Sequence, residues 1–281
     1  MRSMMLLAFT AFFLLKVSHS LAQDSSKVRT QYFPKSVEVV NDLPLKKNTW
    51  VFIMAGQSNM AGRGQVGPED TIPDPRILTI NAAGQIIQAK EPLNIYEPTM
   101  AGLDCGISFA RTMLKNCPAN VTILLIPTAV GGSSIKKWID DSVHREVSLL
   151  SNFNQKAALA RKYGQVKGIL WHQGEADANA KGIPVYENNL GILFTKFRKA
   201  TKQKNLPIMM GELGSFSKNA AIQFKTINEI MAGYSKKDLF TAVISTADLN
   251  HKGDNLHFDA AGQRQMGIRY ANAFIQNFNK K

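Results

Sequence analysis

Hydrophobic positions along the chain fall into two kinds of run. Short, mostly apolar stretches stand at Val51–Met54, Val121–Ile126, Val166–Trp171, Ile208–Met210 and Phe240–Ser245. Runs of this length, rich in Val and Ile, predict strands buried on both faces. Longer segments between them place apolar residues at helical spacing: Ile107–Leu114, Ser142–Tyr163, Tyr186–Lys204, Ala220–Met231 and Ala260–Phe278. In Tyr186–Lys204 the residues Leu190, Leu193, Phe194 and Phe197 form one stripe, with lysines on the other side. Asp259 stands where the last helix needs an N-cap. Strands alternating with helices predict an α/β fold with a doubly wound, five-stranded parallel sheet. Ile77–Asn81 reads as a short edge strand, turned back at Ala82–Gln85, and lies outside those five.

Right-handed crossovers bring the carboxyl ends of parallel strands to one edge. Ligands of open α/β sheets bind at that edge. Each strand here is followed by a polar, Gly-rich segment, so those segments collect there. The first is Gly56-Gln57-Ser58-Asn59-Met60-Ala61-Gly62, directly after Val51–Met54 and Ala55. The loops Gly62–Pro75 and Pro92–Met100 are expected to form the rim.

The ends and the composition add less. Arg2, an apolar run over Met4–Val17 and the small residues Ser18–Ala22 read as a secretory signal peptide over residues 1–22. That implies a secreted or periplasmic protein. Residues 23–47 read as a polar N-terminal arm with Pro34 and Pro44, and residues 48–281 as one domain. No segment after the leader is long and apolar enough to span a bilayer. The formal charge of +13 comes from scattered lysines, with no basic run interleaved with aromatics. That reads as a solvated basic surface, with no nucleic-acid partner. Oligomeric state leaves no mark in the sequence. Cys105 and Cys117 permit a disulfide, but they flank a predicted helix whose two ends are hard to bridge.

Ester hydrolysis by a nucleophile needs a hydroxyl, a base, a group that orients the base, and donors for the oxyanion. Ser58 offers the hydroxyl. Asp254 and His257, three apart in Asp-Asn-Leu-His, let a carboxylate reach Nδ1 while Nε2 faces another loop. A lone histidine beside a helix start is more often a cap or a surface group. Its pairing with Asp254 and with Ser58 after the first strand reverses that. The Ser58 N–H, the N–H of Gly131 or Gly132, and the Gln173 side chain are the candidate oxyanion donors. His172 and His251 read as structural. The His172, Glu175 and Asp177 cluster offers too few free ligands for a metal, and no cofactor is implied.

Four motifs stand in order: Gly56-Gln57-Ser58-Asn59-Met60, Gly131-Gly132-Ser133-Ser134-Ile135, Trp171-His172-Gln173-Gly174-Glu175-Ala176-Asp177 and Asp254-Asn255-Leu256-His257. In this the chain resembles SGNH-type hydrolases. The Gly-Gln-Ser-Asn-Met and His-Gln-Gly-Glu forms resemble the sialate O-acetylesterase branch and the acetylxylan esterases of carbohydrate esterase family six. The resemblance implies a three-layer α/β/α sandwich with a five-stranded parallel sheet, of the SGNH or flavodoxin-like kind. It implies Ser58 as nucleophile, His257 as base, Asp254 as its orienting acid, and oxyanion donors at Ser58, Gly131 or Gly132, and Gln173. Gln173 stands where the wider superfamily has Asn. Asn59 and Glu175 are candidates for substrate binding; Glu175 is also placed to brace its loop. The implied activity is removal of O-acetyl groups from a carbohydrate. A non-catalytic carbohydrate-binding protein on a hydrolase fold is the rival reading, and a lipase-like hydrolase a third.

Overall fold

The computed structural model describes residues 27–279, so the leader expected over residues 1–22 lies outside the described residues. A seven-stranded sheet organises the chain. Its strands are β1 (Thr49–Gly56), β2 (Ile77–Ile80), β3 (Ile86–Gln88), β4 (Thr122–Pro127), β7 (Gln165–His172), β8 (Ile208–Gly211) and β9 (Thr241–Ile244). β5 (Val143–His144) and β6 (Val147–Ser148) form a separate hairpin. The order across the sheet is β3-β2-β4-β1-β7-β8-β9. All neighbours run parallel except β2 and β3.

β1 shows why apolar runs become central strands. Val51, Ile53 and Ala55 enter one core, and Phe52 and Met54 enter the other. Leu124 and Ile126 against Ile123 and Leu125 repeat the alternation on β4. A strand with helices on both faces has no position left for a polar side chain. On the first face lie α3 (Ile135–Ile139), α4 (Leu149–Tyr163), α5 (Ile183–Thr201) and α6 (Ala221–Lys237). On the second lie α2 (Gly106–Leu114) and α7 (Ala260–Phe278). α1 (Ser58–Ala61) is a single turn directly after β1. Phe197 ties the first core together, stacking on Phe153 and meeting Trp138 and Trp171 edge-on.

The sheet departs from the five strands expected. Ile77–Ile80 is fully buried and pairs in parallel with β4, so it is a sixth parallel strand. β3 covers it antiparallel, and Val39 and Val40 of the N-terminal arm bond to β3 in turn. Two four-residue or shorter strands joined by a turn carry too few alternating positions to reveal their depth in the sheet. The helix expected over Ser142–Tyr163 starts only at Leu149. Asp141, Arg145 and Glu146 all have positive φ, which no helix accommodates, and the chain folds into the β5–β6 hairpin instead. Helix α5 begins three residues earlier than expected and ends where Lys202 turns left-handed. Asp259 caps α7, accepting from the Gly262 N–H at 2.7 Å. Cys105 and Cys117 are both free. Cys105 is fully buried, its Sγ against Met60 Sδ at 3.8 Å, and burial raises its thiol well above the usual range.

Candidate active site

Ser58 stands at the first position of α1, immediately beyond the carboxyl end of the central strand. The turn that puts it there runs through Gly56, whose φ is +139°. A Cβ at Gly56 would lie 2.1 Å from the His172 carbonyl oxygen, so only glycine fits. The next residue, Gln57, donates its N–H to that same carbonyl at 2.9 Å. β1 and β7 are thus locked together beneath the serine.

The last loop reaches the same place from the far end of the chain. An antiparallel bridge between His251 and Phe258 closes it, and the Lys252 N–H bonds to the His257 carbonyl at 2.9 Å. His251 Nδ1 accepts from the Gly253 and Asn255 N–H groups at 3.0 and 3.1 Å, so this histidine shapes the turn. His257 Nε2 then lies 2.9 Å from Ser58 Oγ, and His257 Nδ1 lies 2.7 Å from Asp254 Oδ2. Asp254 Oδ1 accepts from the backbone N–H of Leu256 at 3.0 Å and of His257 at 2.8 Å. Partial burial works against the Asp254 charge. The bonds from His257 and Leu256 outweigh it and hold the carboxyl down at about 2. A permanent anion on Nδ1 fixes the tautomer in which Nε2 accepts the serine proton.

Three loops close around Ser58 from the first face. After β4, Val130 donates to the Gly56 carbonyl at 3.1 Å, and Ser133 Oγ lies 3.3 Å from the same oxygen. The two glycines that follow differ in their freedom. Gly131 is buried and its N–H donates to Glu97 Oε2 at 2.7 Å. Gly132 is exposed at φ +73°, and its N–H bonds to no protein group among the described residues. Glu97 is nearly fully buried and also holds Arg63 Nη2 at 2.9 Å and Arg145 Nη1 at 3.2 Å. Sequence reasoning missed Glu97 and Arg63. An isolated acid in a loop and an arginine after Gly62 carry no spacing that links them.

Gln173 is fully buried, and its Nε2 is already engaged. It donates to Asp177 Oδ2 at 2.5 Å and approaches Gln57 Oε1 and the Ser133 carbonyl at 3.2 Å each. Tyr186 Oη donates to the Gln173 carbonyl at 2.7 Å and lies 3.2 Å from its Oε1. The direct donor role expected for Gln173 does not fit an amide with both hydrogens taken. Its amide instead orients Gln57, whose Oε1 is held by Gln173 and by the Ala176 N–H at 3.3 Å. Gln57 Nε2 bonds to no protein group among the described residues. Asp177 also accepts from the Ile135 N–H at 2.8 Å, and its burial raises its pKa.

Asn59 and Glu175, expected as substrate contacts, face inward. Asn59 is 1% exposed, and Glu175 Oε1 accepts from Asn59 Nδ2 at 2.7 Å. His172 is fully buried behind them, its Nε2 on the Glu212 carbonyl at 2.9 Å. Burial lowers the His172 pKa, against the pull of Glu175. The described residues contain no group of three or more His, Cys, Asp or Glu side chains able to hold a metal ion.

Above Gly132 the rim is cationic. His144 Nε2 and Arg145 Nε both approach the Gly131 carbonyl, at 2.9 and 3.0 Å, and Lys137 Nζ lies 3.0 Å from His144 Nδ1. The β5–β6 hairpin delivers His144 and Arg145, with Arg145 at its left-handed tip, and α3 delivers Lys137.

Comparison with known proteins agrees with the fold class and with the family resemblance. A curated Arabidopsis thaliana protein described as a probable carbohydrate esterase is 28% identical over 247 residues, 81% of this chain and 91% of that one. Its solved structure superposes with a TM-score of 0.72, covering 83% of this chain and 99% of the other. NanS is similar at a TM-score of 0.68 and 17% identity, over 85% of this chain and all of NanS. A carbohydrate acetylesterase from Xanthomonas citri is similar at 0.64 and 17%, over 83% of this chain and 57% of that one. The family model described as carbohydrate esterase, sialic acid-specific acetylesterase matches residues 48–276. The chain therefore belongs to that family of carboxylic-ester hydrolases.

Proposed function

We propose that this protein is a secreted serine esterase that removes acetyl groups from a glycan. The observation that carries the reading is the contact of Ser58 Oγ with His257 Nε2 at 2.9 Å, backed by Asp254 at 2.7 Å on Nδ1. Ser58 Oγ attacks the acetyl carbonyl while His257 Nε2 takes its proton. Asp254 holds the Nδ1–H and stabilises the imidazolium that forms. The first N–H groups of a helix have no intrahelical acceptor, so the Ser58 N–H at the start of α1 is available to the oxyanion. The Gly132 N–H supplies a second donor, since Glu97 occupies that of Gly131. Gln57 Nε2, oriented through Gln173, supplies a third. The tetrahedral intermediate collapses, the sugar oxygen leaves, and His257 protonates it. Water then attacks the acetyl-enzyme with His257 again as base, and acetate departs.

Lys137 at the rim, beside His144, favours an acetylated glycan that carries an acidic group. The apolar leader over residues 1–22 supports secretion. The test is acetate release from a panel of neutral and acidic acetylated sugars. Release from at least one, abolished by Ser58→Ala and by His257→Ala, is the expected result. Full activity in either variant would overturn the mechanism.

A further inference from the structure

Asn59 touches the backbone on both sides of His257. Its Nδ2 donates to the Leu256 carbonyl at 3.2 Å, and its Oδ1 accepts from the Phe258 N–H at 3.1 Å. The same Nδ2 donates to Glu175 Oε1 at 2.7 Å. The Asn59 carbonyl in turn accepts from Gln263 Nε2 of α7 at 2.9 Å. One side chain from the turn bearing the serine therefore holds the loop that bears the base.

Glu175 carries an energetic oddity. Its side chain is 5% exposed, and its Oε2 has no hydrogen-bond partner. Nor has His172 Nδ1, which lies 3.7 Å from Glu175 Oε1. A buried carboxylate with a single good hydrogen bond is costly, and such a group calls for an explanation. Its chemistry supplies one. A carboxylate only accepts, so it admits one orientation of the Asn59 amide: nitrogen toward Glu175 and Leu256, oxygen toward Phe258. A glutamine there offers a weaker, uncharged acceptor and a competing donor, which loosens the amide that carries both bonds to the His257 loop.

We infer that Glu175 and Asn59 form an orientation lock that holds His257 against Ser58, and that neither touches the sugar. The inference rests on Ser58 and His257 being the reacting pair. Asn59 and Glu175 are positioning residues, and their loss lowers turnover without weakening substrate binding. A misplacement of about 1 Å is enough to cost on the order of 100-fold. Asn59→Asp, which sets a carboxylate against Glu175 and the Leu256 carbonyl, loses about that much in kcat. Glu175→Gln, nearly isosteric, loses roughly a tenth of that. Because the two residues act as one unit, the double variant Asn59→Ala, Glu175→Ala is no slower than Asn59→Ala alone.

The experiment measures kcat and KM on 4-nitrophenyl acetate and on an acetylated sugar for these variants, with proton NMR of the His257 Nδ1–H. Reduced kcat at unchanged KM on both substrates, with the low-field Nδ1 proton weakened or lost, is the expected outcome. A raised KM on the sugar alone would make these residues substrate contacts and overturn the inference. So would wild-type kcat in Glu175→Gln together with additive losses in the double variant. Ser58→Ala and His257→Ala run alongside: if they keep activity, the esterase mechanism itself is wrong, and the failure is not that of the lock.

Discussion

At the scale of single residues, the decisive feature is how charge is placed around one imidazole. Asp254 accepts from two backbone N–H groups and from His257, and is held at about 2. The folded value lies below the ordinary 3.8. Its stabilisation of the loop is therefore complete above about pH 4, and is lost as pH falls through about 2. A fall in activity on acidification above pH 4 must then come from another group. Carbon-13 NMR of the Asp254 carboxyl checks this: titration near 2 is expected. Asp254→Asn keeps the shape but removes the anion from Nδ1, and should lower kcat by on the order of 10³–10⁴-fold with little change in KM. Steady-state kinetics on a small acetyl ester reads that directly. Glu97 is the residue whose role the sequence hid. Removing it as Glu97→Ala leaves the buried Arg63 guanidinium without its ion partner and frees the Gly131 N–H. A loss of about 3–5 kcal/mol in urea unfolding is expected.

At the scale of elements, the serine is presented by a turn rather than by a long helix. α1 has only four residues, and its direction is set by Gly56. Gly56→Ala meets both a left-handed φ and the His172 carbonyl. It should cost more than the ~1–3 kcal/mol of backbone strain alone. Gly84 provides the control. It also has positive φ, at +77°, but a Cβ there meets nothing within 4 Å. Gly84→Ala should cost only about 1 kcal/mol and leave activity intact. Denaturant midpoints and esterase rates for the pair separate clash from conformation. The β5–β6 hairpin shows where local pattern misleads. Val143, Val147 and the helix-forming residues after them suit a continuous helix, yet the left-handed Arg145-Glu146 turn aims Arg145 at the Gly131 carbonyl. Nothing in residue type announces a left-handed Arg-Glu pair.

At the scale of the whole molecule, apolar runs buried on both faces and their alternation with helices made the layered α/β class legible in the sequence, and parallel crossovers made the shared edge legible. The motif residues were legible too, because each follows a strand and parallel strands end on one edge. The sheet's full width was not. β2 and β3 depend on pairing with distant β4 and with Val39 and Val40, and long-range pairing leaves no local period. The inward turn of Gln173, Asn59 and Glu175 was equally hidden, since a motif gives residue type and not the direction of an amide. One prediction belongs to this scale. Behind α1, Asp104 and Glu91 lie almost fully buried together, and burial raises the pKa of both carboxyls. Carboxyls held neutral by the fold favour it most at low pH, and that advantage fades as pH rises from about 4 upward. Urea unfolding should show stability declining over that range, and Asp104→Asn should flatten the decline.

The central claim is that Ser58 becomes acylated with His257 as its base. The most direct measurement is mass spectrometry of the protein after treatment with a fluorophosphonate ester, which traps activated serines covalently. The account predicts one adduct, on Ser58, absent from Ser58→Ala and formed far more slowly in His257→Ala. An adduct on another serine, or equal labelling of Ser58 with and without His257, would contradict it.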